Sequence, residues 1–446
     1  YNPYIIILPG GLSVAVPGEI RGYQALLQRM GTNLTWEALF EDAIRLARDG
    51  FPIHPHLADA LRVKKNAIYS YKNMRKTFWD VDANDTLKEG DLLVQKDLAA
   101  SLELIAKNGP DHFYKGAFAE QLVREVNENG GNMTLEDLSS YEVAWDAPVN
   151  VSFKDDLTMY SVPPPGSGAV LGYIMNIMDA FRSDGKNTLE DNVLTLHSLI
   201  SPRLCTRKCS YLYFPVEILE VQSLRFTEVD GSLASEDAEN IRRCKIQMSQ
   251  WVCSSAYGSA SNKGRRAAWR NESVWLPSSF FSFGSMVSSG GVVLNNEMDD
   301  FSVPGAANQY SVAPSETNFV APGKRPLSSM APAVVVDRNG DVQLVLGGAG
   351  GAKITSGIAL VSMRYLWQGN TIKEAIDFPR VHHQFLPNQV YAEAQFPKVY
   401  KEQLEKKGHK VVVPEGRFSI IMGIGRRERR IYANADYRKR GTVDGE

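Results

Sequence analysis

Cysteine, histidine, threonine and unbalanced charge are each scarce somewhere in this sequence, and each shortage removes a class of function. Four cysteines in 446 residues are too few for a disulfide-stapled scaffold. All four, Cys205, Cys209, Cys244 and Cys253, fall in one region, where irregular spacing and the lack of any histidine among them favour disulfides over a metal site. The seven histidines, His54, His56, His112, His197, His382, His383 and His409, show neither metal-ligand nor triad spacing and read as surface or packing residues. With 49 Lys and Arg against 51 Asp and Glu, the net charge of -2 offers no basic face for phosphates, so nucleic acid is not an expected partner. No apolar run is long enough to span a bilayer; the longest near the start, Tyr4 to Pro9, is far too short. An initiating methionine and a signal peptide are also missing, so the expectation is a truncated N-terminus whose missing part has room for a signal or a membrane anchor. Finally, no threonine occurs between Thr227 and Thr317.

What is present describes an ordinary globular chain, 43% hydrophobic and 22% charged. Sequons at Asn33, Asn84, Asn132, Asn150 and Asn271 fit an extracellular or cell-surface protein of the secretory pathway. The first third reads as helices between clear stops. Thr35 is the expected cap of a helix through Trp36, Leu39, Phe40, Ala43, Ile44 and Ala47 that ends at Gly50. Further helices are expected from Leu93 to Ala106 and from Ala117 to Val126, and Thr134 with Asp137 starts a short one. From Tyr141 the pattern turns to strands, Val149 to Phe153 and Leu157 to Val162. These lead into the stiff loop Pro163-Pro164-Pro165-Gly166-Ser167-Gly168 and a helix from Ala169 to Phe181. Residues 198–282 show no sustained period of either kind. The basic runs Arg426-Arg427-Glu428-Arg429-Arg430 and Arg438-Lys439-Arg440 read as solvated turns.

The stretch from Gly291 to Thr355 organises the rest. It carries three polar signatures: Asn295-Asn296-Glu297-Met298-Asp299-Asp300-Phe301, Leu327-Ser328-Ser329-Met330 and Gly347-Gly348-Ala349-Gly350-Gly351. Between the last two, apolar runs flank Asn339-Gly340, a dipeptide that accepts positive φ in a tight hairpin turn. The second run meets the glycines, and Thr355 is the expected cap of a helix stopped by Gly369. A strand, glycine turn and helix in that order present backbone N–H groups to an anion or oxyanion. Two nucleotide readings fail on spacing. Lys353 is not followed by Ser or Thr, as a P-loop requires, and it stands where the third glycine of a dinucleotide fingerprint belongs. A tight turn with no ligand remains the plain alternative.

In this order and spacing the three signatures resemble the small subunit of γ-glutamyltranspeptidases, also called glutathione hydrolases. The resemblance extends upstream through Gly10-Gly11-Leu12-Ser13-Val14-Ala15-Val16-Pro17-Gly18-Glu19 and the Pro163–Gly168 loop. Downstream it takes in Arg380-Val381-His382-His383-Gln384 and Ala435-Asp436-Tyr437-Arg438-Lys439-Arg440-Gly441. It implies an α+β fold, the four-layer αββα sandwich of the N-terminal-nucleophile hydrolases. The parts would be 1–197, large-subunit-like; 198–282, aberrant, with Leu204 to Leu212 readable as a helix translated in a shifted frame; and 283–446, small-subunit-like. The implied reaction passes a γ-glutamyl group to water, an amino acid or a dipeptide from glutathione or a conjugate, through a threonine freed by self-cleavage. Carried over residue by residue, Glu297 and Asp300 would hold the substrate's α-ammonium while Asp299 faces elsewhere. Ser328 and Ser329 would bond the α-carboxylate, and Gly350 and Gly351 would line the oxyanion hole. Taken alone, the acid cluster and the serine pair are ordinary turn chemistry.

Two family parts are missing: an arginine for the α-carboxylate, which lies upstream of Ala15 in the family, and the nucleophile expected some twenty to forty residues before Glu297. Ser259 and Ser261 lie near that place but outside the family's motif. Nothing in the sequence calls for a metal or a cofactor, and membrane contact is expected only through the missing N-terminal anchor. The alternatives are an inactive homologue that binds γ-glutamyl ligands and a cysteine-rich interaction module inserted in a hydrolase scaffold.

Overall fold

The computed structural model describes residues 9–30, 34–181, 189–200, 283–307, 314–384, 387–414, 416 and 418–443. All four cysteines, Ser259, Ser261, Asn33, Asn271 and the shifted-frame reading of Leu204 to Leu212 lie outside the described residues. The chain divides into two compact units, one drawing on Ile6–Trp145 and Tyr257–Asp300, the other on Asp146–Ala256 and Phe301–Glu446. Each combines described chain from before and after residues 201–282.

The first unit is helical: α1 (Glu19–Met30), α2 (Glu41–Asp49), α3 (Lys96–Asn108), α4 (Ala117–Glu128) and α5 (Leu135–Ser139), with shorter turns between. None is long enough to be stable alone, so packing of apolar faces must hold them. Leu98, Leu102, Ile105, Phe113, Tyr114, Phe118, Leu122 and Val126 form that core, and Val287, Val292 and Leu294 of the later segment complete it. The Thr134 capping box of α5 forms as expected. The helix expected from Thr35 does not start there: a 3-10 turn, Glu37–Leu39, with Trp36 as its N-cap follows instead, and Thr35 accepts only the Ala38 N–H at 3.3 Å. Trp36 donates to the Ile105 carbonyl at 3.0 Å and lies tilted against the Phe40 ring at 4.8 Å, and these anchors tighten the chain before α2 begins. Similarly, α3 starts at Lys96 because Leu92–Leu93 pairs with Phe51–Pro52 as short strands.

The second unit is built on a six-stranded sheet in the order β9-β8-β4-β3-β2-β1, every neighbour antiparallel. Its strands are β1 (Val149–Ser152), β2 (Thr158–Ser161), β3 (Ala333–Val336), β4 (Val342–Ala349), β8 (Ile420–Arg427) and β9 (Arg430–Asn434). A smaller sheet joins β5 (Val381–His382), β6 (Val390–Ala392) and β7 (Val411–Val412). Helices α6 (Gly168–Phe181), α8 (Ile354–Leu366) and α9 (Ile372–Asp377) pack on one face of the large sheet, while α7 (Leu189–Ile200) meets α10 (Lys398–Lys406). On the helix-covered face Met159, Val335, Leu344, Leu346 and Ile421 join one core with Leu171, Ile358 and Ile376. Val345 and Ile420, which point the other way, are also buried, as an inner sheet of a layered sandwich requires. The architecture is α+β.

Three local expectations need correction. The β3–β4 connection is wider than a two-residue turn: Asp337 and Asp341 close it, only Gly340 of the pair has positive φ (+83°), and the Asp337 side chain accepts the Asn339 and Asp341 N–H groups. A side chain able to cap several N–H groups makes the longer turn cheaper than two left-handed residues in a row. Thr355 does not cap α8, which starts one residue before it; its hydroxyl donates instead to the Ser329 carbonyl. The basic runs are not simply solvated. Arg427 bonds the carbonyls of Gly369, Tyr365 and Asn370, and Arg438 and Lys439 are buried.

Candidate active site

Chemistry gathers in the second unit where β4 gives way to α8. Gly347 and Gly348 still belong to the strand, opposite Met422 and Ile421, and a Cβ on Gly348 would meet Ile421 Cδ1 at 2.5 Å. The turn proper is Gly350 (φ +129°) and Gly351 (φ +58°); at Gly350 a side chain has no room, since its Cβ would lie 2.7 Å from the Ser419 Cα. Gly351–Lys353 is a 3-10 turn that runs straight into α8. The N–H groups that open such a helix have no acceptor within it, and the helix dipole there favours negative charge. Lys353 adds a cation at the same point, stacked 4.5 Å from the Phe418 ring. Burial lowers its pKa, and Glu393 works against that shift.

The serine signature is tied to this turn. Thr355 Oγ1 donates to the Ser329 carbonyl at 3.3 Å. The Pro163–Gly168 loop holds the same signature from the other end: Ser328 N donates to Pro165 O at 2.9 Å, Ser167 N to Met330 O at 2.8 Å and Ser167 Oγ to Ser328 O at 2.7 Å. The Ser328 hydroxyl oxygen accepts from the Met330 N–H at 3.2 Å, which leaves its own proton to donate. Asn318, buried, accepts the Leu327 N–H at 2.9 Å. Ser328, Ser329, Gly350 and Gly351 are thus brought together in one unit, the serine signature tied by Thr355 to the helix that follows the glycines. Sequence reasoning missed Thr355, Ser167 and Asn318 in these roles, because each acts on a partner at least nine residues away.

The acid signature belongs to the other unit, as the 3-10 turn Glu297–Asp300. Asn295 clamps it in place, accepting the N–H groups of Ala15 and Glu297 at 3.0 Å each and donating to the Ala15 carbonyl at 2.9 Å. This gives the Val14-Ala15-Val16 segment a job: it is the floor on which the acids sit. Glu297 shares a side-chain hydrogen bond with Asp300, whereas Asp299 accepts from Asn296 Nδ2 at 3.0 Å. Burial pushes Glu297 up to about 7, opposed by the Asp300 bond and reinforced by Asp299, and burial pushes Asp299 up to about 7 against the Asn296 bond. A hydrogen bond between two carboxyl groups needs a proton, and a bound cation can take that proton's place. The paired asparagines before Glu297 were the sequence signal for this clamp.

The remaining sequence motifs lie nearby in the sheet unit. Arg380, fully buried, meets Asp436 Oδ2 at 3.0 Å, and Asp436 also accepts from Ile421 N and Arg438. His382 is buried with Nδ1 at 2.8 Å from Ser356 Oγ and Nε2 at 3.0 Å from Gln384 Oε1. Among the described residues, no group of three or more His, Cys, Asp or Glu is placed to hold a metal ion.

The sequence model of the gamma-glutamyltranspeptidase family matches residues 5–445. Scoloptoxin SSD14 of Scolopendra dehaani is 40% identical over 450 residues, covering 98% of this chain and 77% of its own. The glutathione hydrolase proenzyme of Escherichia coli strain K12 is 32% identical over 421 residues, covering 92% of this chain and 71% of its own. Among solved structures, the cephalosporin acylase of Bacillus halodurans superposes with a TM-score of 0.73 over 100% of this chain and 80% of that one. At 22% identity that likeness concerns the fold alone, and it agrees with the expected α+β sandwich of the N-terminal-nucleophile hydrolases. The chain belongs to the γ-glutamyltranspeptidase family.

Proposed function

We propose that this chain binds the α-amino-acid head of γ-glutamyl compounds, glutathione and its conjugates first among them, and that it does not cleave them. The observation that carries the binding half is the carboxyl pair Glu297–Asp300, half-buried and hydrogen-bonded within itself. Such a pair is relieved of repulsion by an ammonium group. In the sheet unit, the Ser328 hydroxyl and the N–H groups at Gly350 and Gly351 are donors of the kind that meet a carboxylate or an acyl oxyanion. Relatives named glutathione hydrolase support the substrate class.

The second half of the proposal rests on the threonine gap. The family's chemistry needs a nucleophile whose own amine is freed by backbone cleavage, and residues between Thr227 and Thr317 contain no threonine to supply it. Relatives with that residue would transfer the γ-glutamyl group to water or to an amino-acid or dipeptide acceptor. This chain would hold the ligand and stop there. We place it outside the cell or at its surface, in keeping with exposed sequon asparagines Asn84 and Asn132. Glycosidase treatment of protein secreted from eukaryotic cells should shift its mobility, and an unshifted band would remove that placement.

Calorimetry with L-glutamate and glutathione tests the binding half. Asp300→Ala should weaken affinity by about 2 to 5 kcal/mol, the cost of truncating one partner of a buried charge contact. Unchanged affinity in a folded variant would remove the assignment.

A further inference from the structure

The motif Arg380–Gln384 and the terminal motif around Asp436 have no part in ligand chemistry as described so far. We infer that together they brace the glycine turn, with His382 as the positioning residue that fixes the start of α8 through Ser356. The inference rests on the reading that Gly350 and Gly351 meet a ligand's anion.

The brace starts at β5. Arg380 N donates to Glu393 Oε2 at 2.7 Å, its guanidinium meets Asp436 at 3.0 Å and the Phe378 carbonyl at 2.7 Å, and Arg438 Nε reaches Glu393 Oε1 at 2.7 Å. Asp436 in turn accepts from Ile421 N at 2.9 Å, which locks β5 to β8. Two residues on, His382 points from this fixed strand to Ser356, one turn into α8. Gln384 Oε1 faces Nε2, so Nε2 carries the proton and Nδ1 is left as an acceptor for the Ser356 hydroxyl. The same hydroxyl proton is shared at 3.2 Å, as the longer branch of a three-centre bond, with the carbonyl of Lys353, the last residue of the 3-10 turn that begins at Gly351. Lys353 N reaches back to Gly350 O at 3.3 Å. A continuous path therefore runs from the buried ion network through His382 and Ser356 to the glycines.

His382 is neutral in this arrangement; a charged imidazole would donate to Ser356 and turn the whole hydroxyl proton to the Lys353 carbonyl. Burial, together with the neighbouring Lys353 and His383, disfavours that charge, and only the Gln384 bond favours it. Thr355, the adjacent residue, holds the serine signature from the same helical turn. One turn of α8 thus positions both sets of anion donors, and each side chain in it has a separate anchor.

Histidine-labelled NMR and local hydrogen exchange test this on the full chain. His382 should show an unprotonated Nδ1 and a protonated Nε2 at pH 7. In His382→Leu and in Ser356→Ala, exchange of the Lys353 amide should rise while amides of β6 and β7 keep their protection. L-glutamate affinity should fall about tenfold, the scale of one ordinary hydrogen bond. His382→Asn, whose amide oxygen can stand where Nδ1 was, should restore most of both. The double variant should be no worse than either single one, because both break the same link. Unchanged Lys353 exchange in the single variants, failure of Asn to rescue, or additive losses would each overturn the inference. If the parent chain binds no glutamate, the functional reading fails, while exchange, tautomer and rescue still decide whether the brace exists.

Discussion

Gly350 combines two constraints in the candidate site, a positive φ and a close backbone neighbour. Its φ of +129° is closed to other residues, and the obstacle to a side chain is backbone, the Ser419 Cα at 2.7 Å, which cannot rotate away. Gly369 offers a control, with a φ of +72° and nothing within 4 Å of its Cβ position. Gly350→Ala should cost about 2 to 4 kcal/mol, combining strain with overpacking. Gly369→Ala should cost only about 1 kcal/mol for the left-handed conformation. Urea midpoints for the two variants measure the difference, and equal losses would mean that the close approach of Ser419 is not limiting.

Titration at single residues gives two opposite pH trends. Glu297, raised from 4.5 to about 7, holds its proton more tightly folded than unfolded, so its contribution to stability is lost as pH rises through about 7. His382, lowered from 6.5 to about 4, behaves the other way: the unfolded chain binds the extra proton, so stability is lost as pH falls from 6.5 toward 4. Glu297→Gln should therefore gain on the parent by about 2 kcal/mol between pH 5 and pH 8. His382→Asn should flatten the loss on the acid side. Denaturant unfolding at four or five pH values reads both, and parallel pH curves for parent and variants would contradict them.

Elements were legible wherever the signal was local. The Thr134 capping box, the strands around Asn150 and Tyr160, and the β3–β4 hairpin each declare themselves within a few residues. What the sequence hid was long-range pairing. Arg438 and Lys439 looked like a solvated basic turn, yet Arg438 is held by Asp436 beside it and Glu393, 45 residues away. Thr355 looked like a helix cap because caps are threonines, but its partner, Ser329, lies 26 residues upstream. The candidate site was readable as three signatures; that Ser328–Ser329 sits against both the Pro163–Gly168 loop and the glycine turn was not, since the loop bonds span at least 161 residues. At this scale the ion network on β5 makes the sharpest prediction. Arg380→Met should destabilise by about 3 to 5 kcal/mol, because Asp436 keeps its burial and loses a partner. A loss below about 1 kcal/mol would show that Arg438 alone satisfies Asp436.

At the scale of the whole molecule, each compact unit carries its own polar signature: one the acid turn Glu297–Asp300, the other the serine pair and the glycine turn. The proposed loss of cleavage rests on one residue type missing from one stretch, between Thr227 and Thr317. The central claim is therefore binding without cleavage, and turnover of a γ-glutamyl anilide by freshly purified chain, with and without an acceptor dipeptide, tests it most directly. Denaturing electrophoresis of the same sample fixes what is being assayed. The account predicts one band near 49.5 kDa and anilide release no faster than in buffer. Two bands with acceptor-dependent release would contradict it, and would mean that another residue, Ser259 or Ser261 for example, supplies the nucleophile.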